Sequence, residues 1–499
     1  MDNLTRKLPT VAVLTVTRNR RRLLLRMLSQ LRQLDYPREK LGVFLVDGAS
    51  TDGTMESVRR EFNDVHFVST NAQMQLAACI NIGIKEILKV RHGYKYIWTL
   101  DDDAEIESRT LLPLVEACEN DPGIGIVGSV VYHPERRDEL VAAGHRVIWR
   151  RTGLIYNLPE PESIENLFDV EIVPACSSMA RTELYLSDKV GMWDERFWLY
   201  WPDNDWCLRA LRNGYRVCSH RKSRVWHRSW TKPEGFYTPM ILNSGVRGAL
   251  LFYYRHSPLN SLTGIRKYML KCHLKAAFER FTLRPNFTRA FEEGVREFVK
   301  GDTSMKDFSS WIDTSALATL EQLCTDLREK LPQNPKIILN CIKDESRKDN
   351  IKGEFSKHFQ PIRWKEIAPD PKAEKLDPRK PLKDYILHYL PRLLRYLVLP
   401  DRRADLIISP VSEPYLYNVA AARYTMLVDD SLHGYVAENK TSKAFFGFLA
   451  TILRGLRATF IDLPRAVRSC PEFRRAAEPI SKVPLPSPKG LDMRRAKVI

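Results

Sequence analysis

The sequence has few cysteines and no apolar run long enough to cross a membrane. Its nine cysteines among 499 residues form no C-x-x-C pair and no Cys/His ligand spacing, which predicts reduced, mostly buried thiols. The longest nearly unbroken apolar run, residues 445–453, is far shorter than the ~20 residues of a membrane-spanning helix. The N-terminal residues lack the basic and apolar layout of a secretory signal, so we expect a cytosolic chain.

The charge of the chain is strongly positive, since 78 Lys+Arg residues against 61 Asp+Glu residues give a net charge of +17. With 44% hydrophobic and 28% charged residues, global disorder is excluded, and the length predicts two or more domains. The positive charge alone suits nucleic acid, an anionic membrane surface or a phosphorylated substrate. Because neither a zinc-finger spacing nor an aromatic RNA-binding signature occurs, we expect no nucleic-acid partner.

The order of apolar runs predicts an α/β fold. Between residues 10 and 130, runs such as VAVLTV, VFLVD and YIWTLDDD alternate with helix-like stretches, which is typical of a mostly parallel sheet covered by helices. The helix-like stretches are residues 21–34, 54–62, 75–90 and 109–119. Residues 131–240 are less regular and rich in Trp, Arg and Pro, which suits a region that builds a site.

A second, smaller α/β unit is predicted towards the C-terminus. The runs KIILNCI, ADLIISP and TMLVDD have strand character, and EPYLYNVAAARY has helical character. The Pro- and Arg-rich tail has no clear periodicity. We therefore predict four parts, which are a sheet domain at residues 1–240, a helical extension at 241–330, the second α/β domain at 331–469 and a flexible tail at 470–499.

Polar residues follow three predicted strands of the first sheet. Because the carboxyl ends of parallel strands meet at the edge where ligands bind, these residues are candidates for a functional site. They are Thr17, Arg18 and Asn19 after the first strand, Asp47 after the second, and Asp101, Asp102 and Asp103 after the fourth.

The aspartate triplet concentrates negative charge that a divalent metal can neutralise. In an extended backbone Asp101 and Asp103 point the same way and can share one cation, whereas Asp102 points elsewhere. An acidic helix cap is the alternative. Asp47 can accept hydrogen bonds from a ribose or a base, and the alternative for it is a plain turn.

Together, TVTRNR, VDGASTDGT and TLDDD resemble the nucleotide-sugar half of the family 2 glycosyltransferases, which have the GT-A fold. The resemblance implies a Rossmann-like mixed sheet, with Mn²⁺ or Mg²⁺ held by Asp101 and Asp103 against the donor diphosphate. It also implies nucleoside contacts for Asn19 and Asp47. The remaining donor-binding candidates are Thr17, Arg18, Asp102 and, from the run NAQMQLAACINIG, Asn81.

Two further motifs, WDERFWLYWPDNDWCLRALRNGYRV and VWHRSW, extend the resemblance to roughly residues 10–260. The first resembles the segment that carries the family's acidic catalytic base, which implies Asp203 or Asp205, although Pro202 stands where an acidic residue is more common. The second resembles the W-H-x-x-W ending of the galactofuranosyltransferase branch and implies that His227 completes the metal site. Taken alone, a histidine in this setting is more often a packing residue.

Several tryptophans lie close to these acidic residues in the sequence. They can stack on sugar faces, and they can equally belong to the core. The candidates for acceptor contact are Trp198, Trp201 and Trp230.

These motifs predict a metal-dependent, inverting glycosyltransferase. A cation offsets the charge of the departing nucleotide, and a carboxylate takes the proton of the acceptor hydroxyl. By resemblance the donor is UDP-galactofuranose and the acceptor is a growing, lipid-linked surface glycan. The alternatives are a rhamnosyl or other hexosyl transferase of polysaccharide biosynthesis and a non-catalytic glycan-binding protein.

Two segments have the composition of membrane-surface helices. Residues 385–398 and 443–460 combine aromatic, aliphatic and basic residues, and helices packed on a core with basic outer faces are the alternative. Because the second α/β domain has no Gly-rich phosphate loop, we expect it to recruit the enzyme to a membrane or an assembly complex. This predicts a place at the cytoplasmic face of the inner membrane and leaves oligomer formation open.

Overall fold

A mixed β-sheet of ten strands forms the N-terminal part of the protein. The computed structural model describes residues 8–70, 72, 74–90, 93–148, 153–156, 166–227, 239–256, 262–279, 285–304, 318–340, 342, 344–367, 404–410, 422–429, 432–438 and 441–471. Strands up to residue 156 are β1 (Val11–Thr17), β2 (Leu41–Asp47), β3 (Val65–Ser69), β4 (Tyr96–Leu100), β5 (Glu105–Ile106), β6 (Ile124–Tyr132), β7 (Leu140–Ala142), β8 (His145–Ile148) and β9 (Gly153–Tyr156). They are followed by β10 (Leu167–Asp169), β11 (Ser177–Arg181) and β12 (Arg216–Trp226).

The strand order of the large sheet is β10-β12-β6-β11-β4-β1-β2-β3, with β5 added to β12 and β7 added to β6. Strands β8 and β9 form a separate antiparallel pair. Strand β1 pairs in parallel with both β2 and β4, and β3 extends the sheet beyond β2. In the register of β1 and β2, Thr17 lies opposite Asp47, so the carboxyl ends of the two strands coincide.

Antiparallel pairing extends the sheet beyond β4. Strand β11 lies between β4 and β6 and runs antiparallel to both. Strand β12 then runs parallel to β6, with its last residue, Trp226, opposite Tyr132. The sheet is therefore mixed, and the predicted Rossmann-like α/β class is confirmed.

Helices cover the sheet where the apolar spacing predicts them. They are α1 (Arg21–Leu31), α2 (Thr54–Glu61), α3 (Leu76–Leu88) and α4 (Leu112–Asn120). Neighbouring residues of β1 point to opposite faces, because Leu14 shares a core with Ile84 of α3 whereas Val13 shares a core with Leu24 of α1. Burial on both faces explains why β1, β2 and β4 are nearly continuous apolar runs.

A group of helices follows the antiparallel strands. The helices are α5 (Thr182–Leu186), α6 (Pro202–Arg212), α7 (Pro239–His256), α8 (Leu262–Glu279) and α9 (Pro285–Lys300). Leu250, Met269 and Val295 of the last three helices belong to the same core as the α3 side of the sheet. The helical extension is thus packed against the sheet domain by a common apolar interior.

A second sheet of five strands forms the smaller α/β unit, in the order β14-β13-β15-β16-β17. Its elements are α10 (Leu320–Arg328), β13 (Lys336–Asn340), α11 (Glu345–His358), β14 (Arg363–Ile367), β15 (Ala404–Pro410), β16 (Ala422–Val428) and β17 (Gly434–Glu438). Leu323 of α10 and Phe355 of α11 share a core with Ile337 of β13. The predicted second unit is confirmed, and α10 packs within it.

The last helices return to the helical group. Helix α12 (Thr441–Arg457) continues through a π-helical turn (Ala458–Asp462) into α13 (Leu463–Ser469). Leu463 and Ala466 belong to the same core as α7, α8 and α9. Residues 441–469, which we predicted within the second domain, therefore pack against the helical group, while the four-part division stays a prediction.

Parts of the predicted pattern fall outside the described residues. In the run EPYLYNVAAARY, residues 413–421 are not described, but residues 422–424 are strand rather than helix. They begin β16, where parallel pairing with β15 overrides local helix propensity. Residues 385–398 and the tail from residue 472 also lie outside the described part.

The described cysteines are mostly buried, as the sequence predicts. All eight described cysteines are free, and all but Cys470 are buried. As for membrane crossing, no helix within the described ranges is long and apolar enough to span a bilayer.

Candidate active site

The carboxyl ends of β1, β2 and β4 bring the predicted polar residues to one edge of the sheet. The loop after β1 turns sharply at Asn19, whose φ angle is 52°. Asparagine tolerates this left-handed conformation better than most residues. The Asn19 amide donates to Ser50 Oγ at 2.8 Å, and Asn19 Oδ1 accepts from the Thr51 amide at 2.7 Å. The loops after β1 and β2 therefore support each other, with Arg18 exposed beside them.

Asp47 is buried at this edge, and one of its oxygens has no hydrogen-bond partner. Its Oδ2 atom accepts from the Ser50 amide at 3.1 Å and from Ser69 Oγ at 3.4 Å. Its Oδ1 atom is buried and unsatisfied. Because an unmet buried acceptor is costly, Oδ1 is suited to accept a hydrogen bond from a bound ligand.

Asp101, Asp103 and His227 converge into one cluster. The two aspartates follow β4, and His227 follows β12, where its amide donates to the Tyr132 carbonyl at 3.0 Å. His227 Nε2 lies 2.9 Å from Asp103 Oδ1 and 3.3 Å from Asp101 Oδ2. One candidate ligand atom from each residue lies within 4.8 Å of the others.

The electrostatics of this cluster fit a divalent cation. Asp103 Oδ1, apart from its ion-pair contact with His227 Nε2, and His227 Nδ1 are buried without a well-formed hydrogen bond. Burial lowers the pKa of His227, but Cys176, Asp101 and Asp103 outweigh burial and raise that pKa well above its ordinary value. Positive charge therefore stabilises the cluster. Mg²⁺ or Mn²⁺ can supply this charge while the imidazole stays neutral, and carboxylate oxygens are suitable ligands for both ions.

Asp102, the middle aspartate, faces the β1 loop. Thr17 Oγ1 donates to Asp102 Oδ2 at 2.7 Å, and the Arg20 guanidinium donates to Asp102 Oδ1 at 3.2 Å. Burial raises the pKa of Asp102 to about 6, although Arg20 and Thr17 oppose this rise. Arg20 also donates to Asp103 Oδ2 at 2.5 Å. The sequence reasoning missed Arg20, and its place directly after Asn19 in TVTRNR was the available signal.

Cys176 is a second residue that the sequence reasoning missed. Its carbonyl accepts from the Asp101 amide at 3.1 Å, which fixes the start of the aspartate triplet. Its buried thiol also raises the pKa of His227. Cys176 precedes β11, and no motif in the sequence indicated that it lies beside the cluster.

Asp203 lies in the first turn of α6 and is partly buried. Burial raises its pKa to about 6, the amides of Asn204 and Ala175 oppose the rise, and the charge of Asp101 adds to it. Asp203 accepts from the amide of Ala175, which adjoins Cys176, so it lies beside the candidate metal-binding cluster. A carboxylate with this pKa can accept a proton near neutral pH.

Asp205 is fully buried and bonded on both oxygens. Its Oδ2 atom accepts from Arg209 Nε at 2.9 Å, and its Oδ1 atom lies 2.7 Å from an Arg255 nitrogen and 2.8 Å from His256 Nε2. Burial alone raises the pKa of Asp205, but Arg209 and Arg255 hold it well below the usual range. Asp205 thus fastens α6 to α7 in ionised form.

Asn81 uses its side chain within the protein. Its Nδ2 atom donates to the Trp193 carbonyl and to Glu195 Oε1, both at 2.9 Å, and its Oδ1 atom accepts from the Trp193 amide at 3.0 Å. The amide therefore holds the segment before α6. A direct donor contact by Asn81 stays a prediction.

The tryptophans make contacts typical of packing. Trp198 is buried in the core. Trp201 Nε1 donates to the Gly245 carbonyl at 3.1 Å, and its ring lies 5.2 Å from that of Phe252. Trp201 remains partly exposed, so acceptor contact by it stays a prediction. Trp230 lies outside the described residues.

Comparison with known proteins agrees with this arrangement. Residues 12–179 match the model of the family described as "Glycosyl transferase family 2". Over this range the chain is similar to that family, and the range forms much of the mixed, Rossmann-like sheet. The matched range includes Asp47 and the aspartate triplet, and it ends before Asp203 and His227. A search of curated protein sequences found no match.

Several solved structures are similar to the chain. The mannosyltransferase PcManGT from Pyrobaculum calidifontis, in complex with GDP-Man and Mn²⁺, is 21% identical, with a TM-score of 0.37 and coverage of 49% of this chain and 63% of that one. GalNAc-T7 with UDP, GalNAc and Mn²⁺ is 15% identical, with a TM-score of 0.39 and coverage of 49% and 48%. S. aureus TarS 1-349 is 14% identical, with a TM-score of 0.40 and coverage of 59% and 80%. The chain thus spans less than two thirds of the first two proteins.

Proposed function

We propose that the protein is a metal-dependent, inverting glycosyltransferase with a nucleotide-sugar donor. The observation that carries the proposal is the cluster of Asp101, Asp103 and His227 at the sheet edge that also holds the unsatisfied Asp47 carboxylate. A cation site and a nucleoside site side by side are what a nucleoside diphosphate requires. The family match over residues 12–179 supports the same class of reaction.

Each donor-binding residue has a chemical task in this proposal. Asp47 Oδ1 accepts a hydrogen bond from the base or ribose, and the Asn19 loop shapes that side of the site. Asp101, Asp103 and His227 hold Mn²⁺ or Mg²⁺. When bound, such a cation neutralises the charge that develops on the departing nucleoside diphosphate.

The proton of the acceptor hydroxyl goes to Asp203. Asp203 has a raised pKa and lies near the cluster, whereas Asp205 is ionised and fully occupied by Arg209, Arg255 and His256. The structure therefore favours Asp203 over Asp205 as the general base. Direct attack by the activated hydroxyl on the anomeric carbon inverts its configuration.

The finer assignment rests on the sequence motif around His227. VWHRSW supports UDP-galactofuranose as the donor, and by the same resemblance the acceptor is a growing, lipid-linked glycan at the cytoplasmic face of the inner membrane. Transfer of rhamnose or another hexose is the alternative. A non-catalytic glycan-binding protein has no need of the clustered carboxylates and imidazole.

The test is a donor panel with the full-length protein and Mn²⁺. UDP-galactofuranose, UDP-galactopyranose, UDP-N-acetylglucosamine, dTDP-rhamnose and GDP-mannose are incubated separately, and released nucleoside diphosphate is measured. We expect slow hydrolysis of one donor, with UDP-galactofuranose preferred, and no release by Asp103→Ala or in excess chelator. If no donor is hydrolysed while the protein retains glycans on an array, the binding-protein alternative replaces the proposal.

A further inference from the structure

Helix α12 and the π-helical turn after it carry an exposed apolar stripe. Of the eight large apolar residues that are exposed in the described part of the chain, six lie between residues 446 and 461. They form the outer stripe, which consists of Phe446, Leu449, Leu453, Leu456, Phe460 and Ile461. From Phe446 to Phe460 the spacing alternates between three and four residues, which places these side chains along one line of a helix.

The inner face of the same helix is built from smaller residues. Among residues 446–462, whose burial is described, Thr451, Gly455 and Thr459 are buried, and Phe448 is the one large apolar side chain that is buried. A Cβ atom on Gly455 would lie 2.5 Å from His273 Cβ, so α12 approaches α8 closely at this point. Ordinary surface helices bury their larger apolar side chains. Here most of them face outward, which indicates an apolar environment on that side.

We propose that the outer stripe docks the protein onto the surface of an anionic membrane. Residues 441–471 contain five basic residues, Lys443, Arg454, Arg457, Arg465 and Arg468, against one acidic residue, Asp462. The Arg266 guanidinium of α8 also lies 5.8 Å from the Phe460 ring centroid. A helix that lies in the interface of a bilayer with anionic headgroups typically has leucine and phenylalanine side chains bordered by arginines.

Charge distinguishes this occupant from a second copy of the chain. A symmetric dimer through the outer stripe would place the same excess of basic residues on both sides of the contact. Such like charges repel, whereas anionic headgroups attract them. The net charge of +17 for the whole chain acts in the same direction.

The proposed docking needs no feature of the active site. Helix α12 packs on α8, and α8 shares its core with the sheet domain. Docking through the outer stripe therefore brings the sheet domain to the membrane, where the lipid-linked acceptor of the proposed function would lie. A vesicle-binding measurement fails or succeeds independently of the proposed transferase activity.

The experiment compares binding of the full-length protein to two kinds of vesicle. One contains phosphatidylcholine alone, and the other contains phosphatidylcholine with phosphatidylglycerol. The stripe variant is Leu453→Ser with Phe460→Ser, at positions whose side chains are exposed. The matched control is Leu186→Ser, which removes an equally exposed leucine from α5. A charge variant replaces Arg457 and Arg465 with glutamine.

We expect the wild-type protein to co-sediment with the anionic vesicles. The stripe variant should bind these vesicles with an affinity that is lower by a factor of about ten or more, because two apolar side chains no longer leave water on binding. The control should bind like the wild type, and the charge variant should lose most of the preference for anionic lipid. Circular dichroism and the melting temperature identify any variant that fails to fold, and Leu449→Ser then replaces it.

Three results would overturn the proposal. The first is absence of wild-type binding to anionic vesicles, and the second is equal binding by the folded stripe variant. The third is a wild-type dimer in analytical ultracentrifugation that the stripe substitutions dissociate, since a second copy then covers the outer stripe.

Discussion

Two carboxylates of α6 lie in different surroundings. Asp203 has amide donors and a raised pKa, whereas Asp205, two residues later, has two arginines and a histidine around it. In an α-helix, residues two positions apart point in different directions, so Asp203 reaches the Ala175 amide whereas Asp205 faces α7. Residue type and spacing in the sequence could not separate them, because the partners Arg255 and His256 come from a later helix.

At the residue scale, His227→Ala should weaken Mn²⁺ binding. Removal of the imidazole leaves the cation with one protein ligand fewer, because only Asp101 and Asp103 of the cluster remain. We therefore expect a Kd for Mn²⁺ that is at least roughly tenfold higher in the presence of nucleotide. Titration followed by electron paramagnetic resonance measures it. His220→Ala, on the same strand, is the matched control. Unchanged Mn²⁺ affinity in His227→Ala would remove the histidine from the site.

Asp203→Asn should lose turnover by about 10² or more while donor binding is retained, the usual scale for removal of a general base. In the wild type, activity should rise with pH through about 6, because Asp203 must be ionised to accept a proton and burial raises its pKa to about 6. Steady-state rates between pH 5 and 8 measure this.

Asp203→Asn, which should lower activity, should raise the stability of the protein above about pH 6. A folded-state pKa above the unfolded value makes ionised Asp203 unfavourable for folding, so the wild type loses stability as pH rises through about 6. Asp203→Asn should therefore have the higher melting temperature at pH 8 and no such advantage at pH 4. A fully active Asp203→Asn variant would move the base elsewhere.

At the scale of elements, helix α6 is held by a buried ionic network. The Arg255 guanidinium contacts Asp205 at 2.7 Å and Asp194 at 2.6 Å, so one side chain of α7 joins α6 to the segment before it. Asn81 of α3 is hydrogen-bonded to the same segment. The position of Asp203 thus depends on α3 and α7, which contribute no residue to the candidate metal-binding cluster.

Arg255→Gln should destabilise the protein by up to about 3 kcal/mol, because Asp205 and Asp194 each lose one cationic partner, although Arg209 still pairs with Asp205. Urea unfolding measures the free energy of unfolding. Arg454→Gln is the control, since Arg454 pairs with Glu292 at the surface and should change stability by less than about 1 kcal/mol. Equal small effects of the two substitutions would show that the network does not hold α6.

The predictable elements are those whose signal is local. β1, β2 and β4 are continuous apolar runs with polar residues at their ends, so the sequence predicted both the strands and the edge where Asp47 and Asp101 meet. Cys176 could not be predicted as a neighbour of the cluster, because its position follows from how β11 pairs with β4. The helix predicted at residues 422–424 was wrong for the same reason, because pairing with β15 makes these residues the start of β16.

At the scale of the whole molecule, two α/β units share one chain, and the candidate active site lies in the first. Within the described ranges, the group of three potential metal-ligating side chains is the one at Asp101, Asp103 and His227. The carboxylate at a strand end of the second unit, Asp429, stabilises the turn that follows its strand. Its Oδ1 atom accepts from the His433 amide at 2.9 Å, and its amide donates to the His433 carbonyl at 2.8 Å.

We therefore expect Asp103→Ala to abolish transfer from every donor, with nothing left that the second unit could supply. Asp429→Ala should keep full transferase activity and lose only a little stability, because it removes the acceptor for one turn amide. The measurement is the donor panel with both variants, together with their melting temperatures. Transfer that survives Asp103→Ala and disappears in the double variant with Asp429→Ala would assign a second active site to the smaller unit.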